Sequence, residues 1–247
     1  MPRRHRGFLD YGCYHITHRC HERKFLLKFS KDRDKYYELM LEANRRFKVS
    51  FLNYVITSNH IHFLVWSRRG EEISKAMQFI QGQFGQHYNN AHKREGSFWR
   101  DRYHSTLIES GTHLRRCLLY IDMNMLRAGA VDNIEDWKHT GYHELMENKK
   151  RYLMIDKKRL VKCLLMKDYS FFKAWYIPTL SEKLSVYNLK REPFWSQSVA
   201  VGSHDWLQGI YNKFKFKRKK VLAVDEVYRD SSFSMVNEEQ NIYFIEG

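Results

Sequence analysis

Residues 51–66 read Phe51-Leu52-Asn53-Tyr54-Val55-Ile56-Thr57-Ser58-Asn59-His60-Ile61-His62-Phe63-Leu64-Val65-Trp66. Two runs rich in β-branched and aromatic residues, 51–57 and 60–66, flank the turn-prone pair Ser58-Asn59, which predicts two directly connected strands. Outward from this pair the period changes. Ile73, Ala76, Met77, Ile80 and Phe84 recur at helical spacing and predict a helix over 71–91. Upstream, Ser30 is placed to cap a helix running through Asp34, Tyr37, Leu39, Met40 and Ala43 to about Phe47. Residues 11–19 and 97–109 read as extended. A third helix starts at Ser110 or Thr112 and stops near Gly129. The order β-α-β-β-α-β-α predicts an α+β fold, a ferredoxin-like, mostly antiparallel sheet with helices on one face.

From about Arg151 the texture changes. Pro178 and Pro193 lie here with scattered aromatics, and helical periodicity is weak. The chain is therefore divided into a domain over 1–150 and a basic, aromatic-rich, mainly helical extension over 151–247. Near its end, Lys213-Phe214-Lys215-Phe216-Lys217-Arg218-Lys219-Lys220 interleaves cations with aromatics, and the stretch from Asp225 is acidic.

Charge points to a partner. Lys and Arg number 43 against 28 acidic residues, a formal net charge of +15, and such a field attracts polyanions. Abundant aromatic side chains can also stack on unpaired bases, so single-stranded nucleic acid fits. The basic start Met1-Pro2-Arg3-Arg4-His5-Arg6 is followed by no apolar stretch, and no apolar run reaches membrane-spanning length. Cys13, Cys20, Cys117 and Cys163 are widely spaced, without a CxxC pair. A cytoplasmic protein with reduced thiols is expected.

Two local patterns carry chemistry. In His60-Ile61-His62 the strand period puts both imidazoles on one face and Ile61 on the other. The pair suits a Zn, Mn or Ni site, or a Mg site with oxygen donors beside it, but a strand pair of solvated histidines has the same spacing. His15, Thr17, His18 and His21 do not share a strand face, and they read as surface or substrate-contacting residues. The second pattern is the segment Thr112 to Arg127. Leu114, Leu118, Ile121 and Met125 form its buried stripe, and Tyr120 and Asn124, one turn apart, lie at the edge of that stripe, reachable from solvent. Arg116 and Arg127 flank them and could hold phosphates. A tyrosine hydroxyl needs activation to attack a phosphodiester, and a boundary tyrosine held by a hydrogen bond is the plainer alternative.

Taken together these blocks resemble the single-tyrosine HUH transposases, in particular the REP-associated tyrosine transposases. The resemblance covers about residues 1–145. It rests on Tyr14-His15-Ile16-Thr17, Ser58-Asn59-His60-Ile61-His62-Phe63-Leu64, Arg102-Tyr103-His104-Ser105, Tyr120-Ile121-Asp122-Met123-Asn124-Met125-Leu126-Arg127-Ala128-Gly129, and Trp137 to Tyr142. It implies that His60 and His62 ligate Mg²⁺ or Mn²⁺, that Asn124 is the polar third ligand, and that Tyr120 is the nucleophile. It further implies cleavage of single-stranded DNA at hairpin repeats, through a 5′-phosphotyrosine that frees a 3′-OH. Arg102, Arg116, Arg127, Lys213, Lys215, Lys217 and Arg218 are the expected DNA contacts. A monomer or a homodimer fits, since some family members exchange the tyrosine helix between subunits. The family usually has proline after the helix asparagine. Met125 stands there instead and should let the helix run on, and Asp122 is a further acidic neighbour that could add an oxygen ligand. A DNA-binding regulator that no longer cuts, and a zinc-dependent hydrolase using the histidines alone, are the competing readings.

Overall fold

The computed structural model describes residues 8–147, 153–185, 191–214, 220–224 and 233–237. Strand β1 (Cys13–Arg19) is followed by α1 (Ser30–Arg46), β2 (Val49–Ile56), β3 (His60–Ser67), α2 (Gly70–Ala91) and β4 (His104–Ile108). Then come α3 (Thr112–Asp122), α4 (Asn124–Arg127), α5 (Tyr142–Met146), α6 (Lys157–Cys163), α7 (Tyr169–Ser185) and α8 (Phe194–Gln197). The described part closes with β5 (Ser198–Gly202), α9 (His204–Phe214), β6 (Lys220–Val224) and β7 (Phe233–Asn237). The predicted alternation over the first 130 residues is present, and the extension holds three strands beside its helices.

The strands form one sheet in the order β2-β3-β1-β4-β5-β7-β6. β2, β3, β1 and β4 are mutually antiparallel neighbours, whereas β5 runs parallel to β4. The sheet is therefore mixed. A parallel neighbour needs a long crossover, and the helical stretch between β4 and β5 supplies it.

Helices cover both faces, not one. On one face Tyr36 of α1 packs on Phe63 at 6.0 Å and on Phe84 of α2 at 4.9 Å. On the other, Asp122 of α3 meets Asn53 of β2 and Asn124 of α4 meets His62 of β3. The reason is visible in the strands, where successive residues such as His15 and Ile16, or Phe63 and Leu64, are all fully buried. A strand buried on both faces requires a cover on each. Only the alternation at His60-Ile61-His62 hinted at a one-sided strand.

The ends of α3 differ from expectation in ways that matter for the site. Neither Ser110 nor Thr112 caps it. Gly111 occupies the N-cap position with φ +84° and donates its N–H to the Cys163 carbonyl at 2.9 Å. A side chain there would be strained and would meet Leu165 at 3.0 Å. At the other end the helix does not run straight on. It is interrupted at Met123 (φ −78°, ψ 5°) and resumes as α4. Gly129, at φ +62°, donates to the Leu126 carbonyl and closes the segment.

Candidate active site

The β2–β3 turn sets the first histidine. The Thr57 N–H donates to the His60 carbonyl at 2.9 Å, and the Thr57 hydroxyl donates to the same carbonyl at 2.8 Å. His60 Nδ1 lies 2.6 Å from Asn59 Oδ1 and 2.9 Å from Thr57 Oγ1. Asn59 is itself oriented by its amide, which donates to the Arg23 carbonyl. Its oxygen can only accept, so His60 carries its proton on Nδ1 and leaves the Nε2 lone pair open.

His62 sits on the same face, its ring centroid 5.0 Å from that of His60. Cross-strand register places Thr17 opposite His62 and Arg19 opposite His60. His62 Nδ1 is 2.8 Å from His15 Nε2, and His15 Nδ1 is 2.7 Å from the Trp195 carbonyl. His15 is thus completely buried beneath the pair. Its predicted place at the surface is corrected, because alternation along β1 turns it to the α3 face. His18 does point the other way, but it is buried against Trp99, with ring centroids 4.2 Å apart.

Burial pushes His15 and His60 down to about 3, His60 with the added repulsion of Arg19, Arg127 and Arg191. His62 is held well below the usual histidine range by burial, then by His60 and His15. Neutral imidazoles at pH 7 are what metal ligation requires.

Helix α3 lays Tyr120, and the start of α4 lays Asn124, over this face of the same chain. The Asn124 amide nitrogen donates to His62 Nε2 at 3.1 Å. The Tyr120 ring stands edge-on to His62 and His15, with centroids at 6.1 and 6.2 Å. The Arg127 guanidinium covers that ring at 4.0 Å and donates to the Tyr120 carbonyl beside the break at Met123. Tyr120 is only 5% exposed, less accessible than its position on the helix predicted, because Trp195 of the extension packs beside it at 6.2 Å. Burial raises its hydroxyl, and Arg127 opposes that rise. Asp122 is turned away from the histidines. It accepts from Asn53 at 2.8 Å and from Tyr176 at 2.7 Å, and burial pushes it up to about 7. It is not placed to supply an oxygen ligand here.

At Thr17 and Arg19, the β1 residues opposite His62 and His60, lies a cavity of about 350 Å³ lined also by Arg23, Arg100, Asp101, Arg102, His104 and Arg191, while His60, His62, Tyr120 and Asn124 are not among its lining residues. Of these, Arg102 was expected as a DNA contact. Arg19, Arg23, Arg100 and Arg191 were missed. Arg19 could have been found by extending the His15-Thr17 face along β1, whereas Arg100 and Arg191 sit outside regular elements and carry no period. Arg116, half-buried on α3, is not among the residues lining this cavity. Lys215, Lys217 and Arg218 lie outside the described residues, as does the side chain of Lys213.

The donor set is two imidazoles and one amide, with the His60 Nε2 lone pair open and that of His62 accepting from the Asn124 amide. Among the described residues no cluster of three His, Cys, Asp or Glu side chains is placed to hold a metal ion. The fit is therefore to a cation that completes its shell with phosphate and water oxygens. Asn124 would join as a ligand after its amide turns to present Oδ1. Among the described residues no helix is long and apolar enough to cross a membrane.

Residues 10–124 match the family model for IS200-like transposases. No curated protein matches the chain. Among solved structures, one similar in fold is a REP-associated tyrosine transposase bound to a REP hairpin. It is 20% identical over 58% of this chain and 84% of that one, with a TM-score of 0.50. A second, from Deinococcus radiodurans and proposed to be a transposase, is 12% identical over 52% and 98%, with a TM-score of 0.35. The matched segment spans β1 to Asn124 and so contains the histidine strand and the tyrosine helix described above. Over residues 10–124, then, this chain is similar to the IS200-like transposases.

Proposed function

We propose that the protein is a metal-dependent endonuclease and strand transferase acting on single-stranded DNA at hairpin repeats, with Tyr120 as nucleophile. The observation that carries this reading is the meeting of Tyr120 and Asn124 with His62, beside His60, in a pair whose hydrogen bonds at Nδ1 put both lone pairs on Nε2. His60, His62 and Asn124 would hold Mg²⁺ or Mn²⁺, and the bound ion would polarise the scissile phosphate. The arginine-lined cavity draws the strand in by its phosphates. Tyr120 Oη attacks phosphorus, the P–O3′ bond breaks, the 3′ oxygen gains a proton and the phenol loses one. Arg127 over the ring favours the developing phenolate. Attack by another 3′-OH on the phosphotyrosine reverses the exchange and transfers the strand, with no external energy source. The catalytic groups all lie within 1–150. Residues 151–247 would add affinity, with Arg191 at the cavity and Lys213, Lys215, Lys217 and Arg218 along the DNA backbone.

The test is covalent. Incubation with Mn²⁺ and a single-stranded hairpin substrate carrying a 5′ flank should give an SDS-resistant protein–DNA adduct, lost in Tyr120→Phe. An adduct that survives Tyr120→Phe overturns the nucleophile. Cleavage without an adduct supports a hydrolase, and binding without cleavage a regulator.

A further inference from the structure

We propose that His15 is a positioning residue, fixing the tautomer of His62 so that its Nε2 lone pair faces the metal position. This rests on the metal reading above and concerns a residue outside the proposed ligand set. The argument is one of donors and acceptors. The Trp195 carbonyl can only accept, so at 2.7 Å it must receive the proton of His15 Nδ1. A neutral His15 then has an unprotonated Nε2, which accepts from His62 Nδ1 at 2.8 Å. His62 is left with its lone pair on Nε2, where the Asn124 amide donates. Each link dictates the next.

The anchor of this relay belongs to the C-terminal part of the chain. The Thr106 hydroxyl of β4 lies between the Ser198 carbonyl at 2.7 Å and the Trp195 carbonyl at 3.1 Å, so its one proton is shared by the two. The Trp195 and His15 side chains are both fully buried, so no water competes for the carbonyl. Without that carbonyl either ring nitrogen of His15 could carry the proton, and His62 could turn its lone pair inward. Outer partners of this kind alter metal affinity about 10- to 100-fold when removed.

The test uses full-length protein and Mn²⁺ alone, without DNA. Binding is read by electron paramagnetic resonance of free Mn²⁺, and the His62 tautomer by ¹⁵N chemical shifts of the metal-free protein. Wild type should show His62 protonated on Nδ1. His15→Leu should weaken Mn²⁺ binding about 10- to 100-fold and shift His62 towards the Nε2-protonated form. His15→Gln can place an amide oxygen where Nε2 stood and should recover most of the affinity. His15→Asn reaches only the Nδ1 position and should not. This Gln–Asn pair decides the matter if His15→Leu does not fold. Equal affinity in wild type, His15→Leu and His15→Asn, with binding lost in His60→Ala, overturns the relay and leaves the metal reading standing. So does a wild-type His62 protonated on Nε2. Mn²⁺ binding that is absent, or unchanged in His60→Ala, overturns the metal reading and this proposal with it.

Discussion

The site is walled by two regions that contribute in different ways. Strands β1 and β3, helix α3 and the first residue of α4 supply imidazoles, a phenol and an amide, groups that can ligate or attack. The segment from Arg191 to Gly202 supplies a backbone carbonyl, an indole ring, a guanidinium and one strand. The first region matches the family model, and the second lies outside the matched residues. Yet Trp195 is as deeply buried as Ile16. Reactive groups therefore follow a readable pattern, while what orients and covers them need not.

Trp195→Ala is the strongest way to break this comparison. Removing a fully buried aromatic should cost about 3–5 kcal/mol, read by denaturant unfolding. A loss under about 1 kcal/mol would mean that the segment merely rests on the amino-terminal part and is not one core with it.

A second effect sharpens the link between the matched domain and α7. Burial raises Asp122 from the usual carboxylate range to about 7, so the folded chain keeps a proton that the unfolded chain releases above about pH 4. The stability this group contributes is highest at low pH and falls as pH rises from about 4 to about 7. Asp122→Asn cannot ionise. It should match wild type near pH 4 and exceed it in melting temperature at pH 8. A constant difference across that range would show that Asp122 does not titrate there.

Smaller effects are expected at the cavity, where both regions contribute. Arg100→Gln and Arg191→Gln replace exposed side chains, so folding should be unchanged. Each should weaken binding of single-stranded DNA several-fold and lower the salt slope by about 0.7. Arg116→Gln, outside the cavity lining, should move affinity less than either. An Arg116 effect larger than that of Arg191 would shift the DNA path to the outer flank of α3.

Much of the site was legible because it depends on short-range periods. His60 and His62 share a face by the two-residue repeat of a strand, and Tyr120 and Asn124 by the turn of a helix. The α+β order followed from the same two periods. His15 was misread although the same alternation would have placed it, since a histidine on a strand carries no mark of burial. The break at Met123 was also hidden. Met125 removed the usual reason for a break, but backbone geometry placed one two residues earlier, where Arg127 takes up the Tyr120 carbonyl.

Sequence by itself determined the order of elements over the first 130 residues, the shared faces of His60 with His62 and of Tyr120 with Asn124, and the basic field around the molecule, because these depend on local periodicity and summed charge. Tertiary structure alone decided that β5 would lie parallel to β4, that α3 would cover the second face, and that the Trp195 carbonyl would reach His15. Those contacts join residues as far apart as 15 and 195. They are settled by packing and hydrogen-bond satisfaction in a closed core, where a backbone carbonyl counts as much as any side chain and leaves no trace in the order of residues.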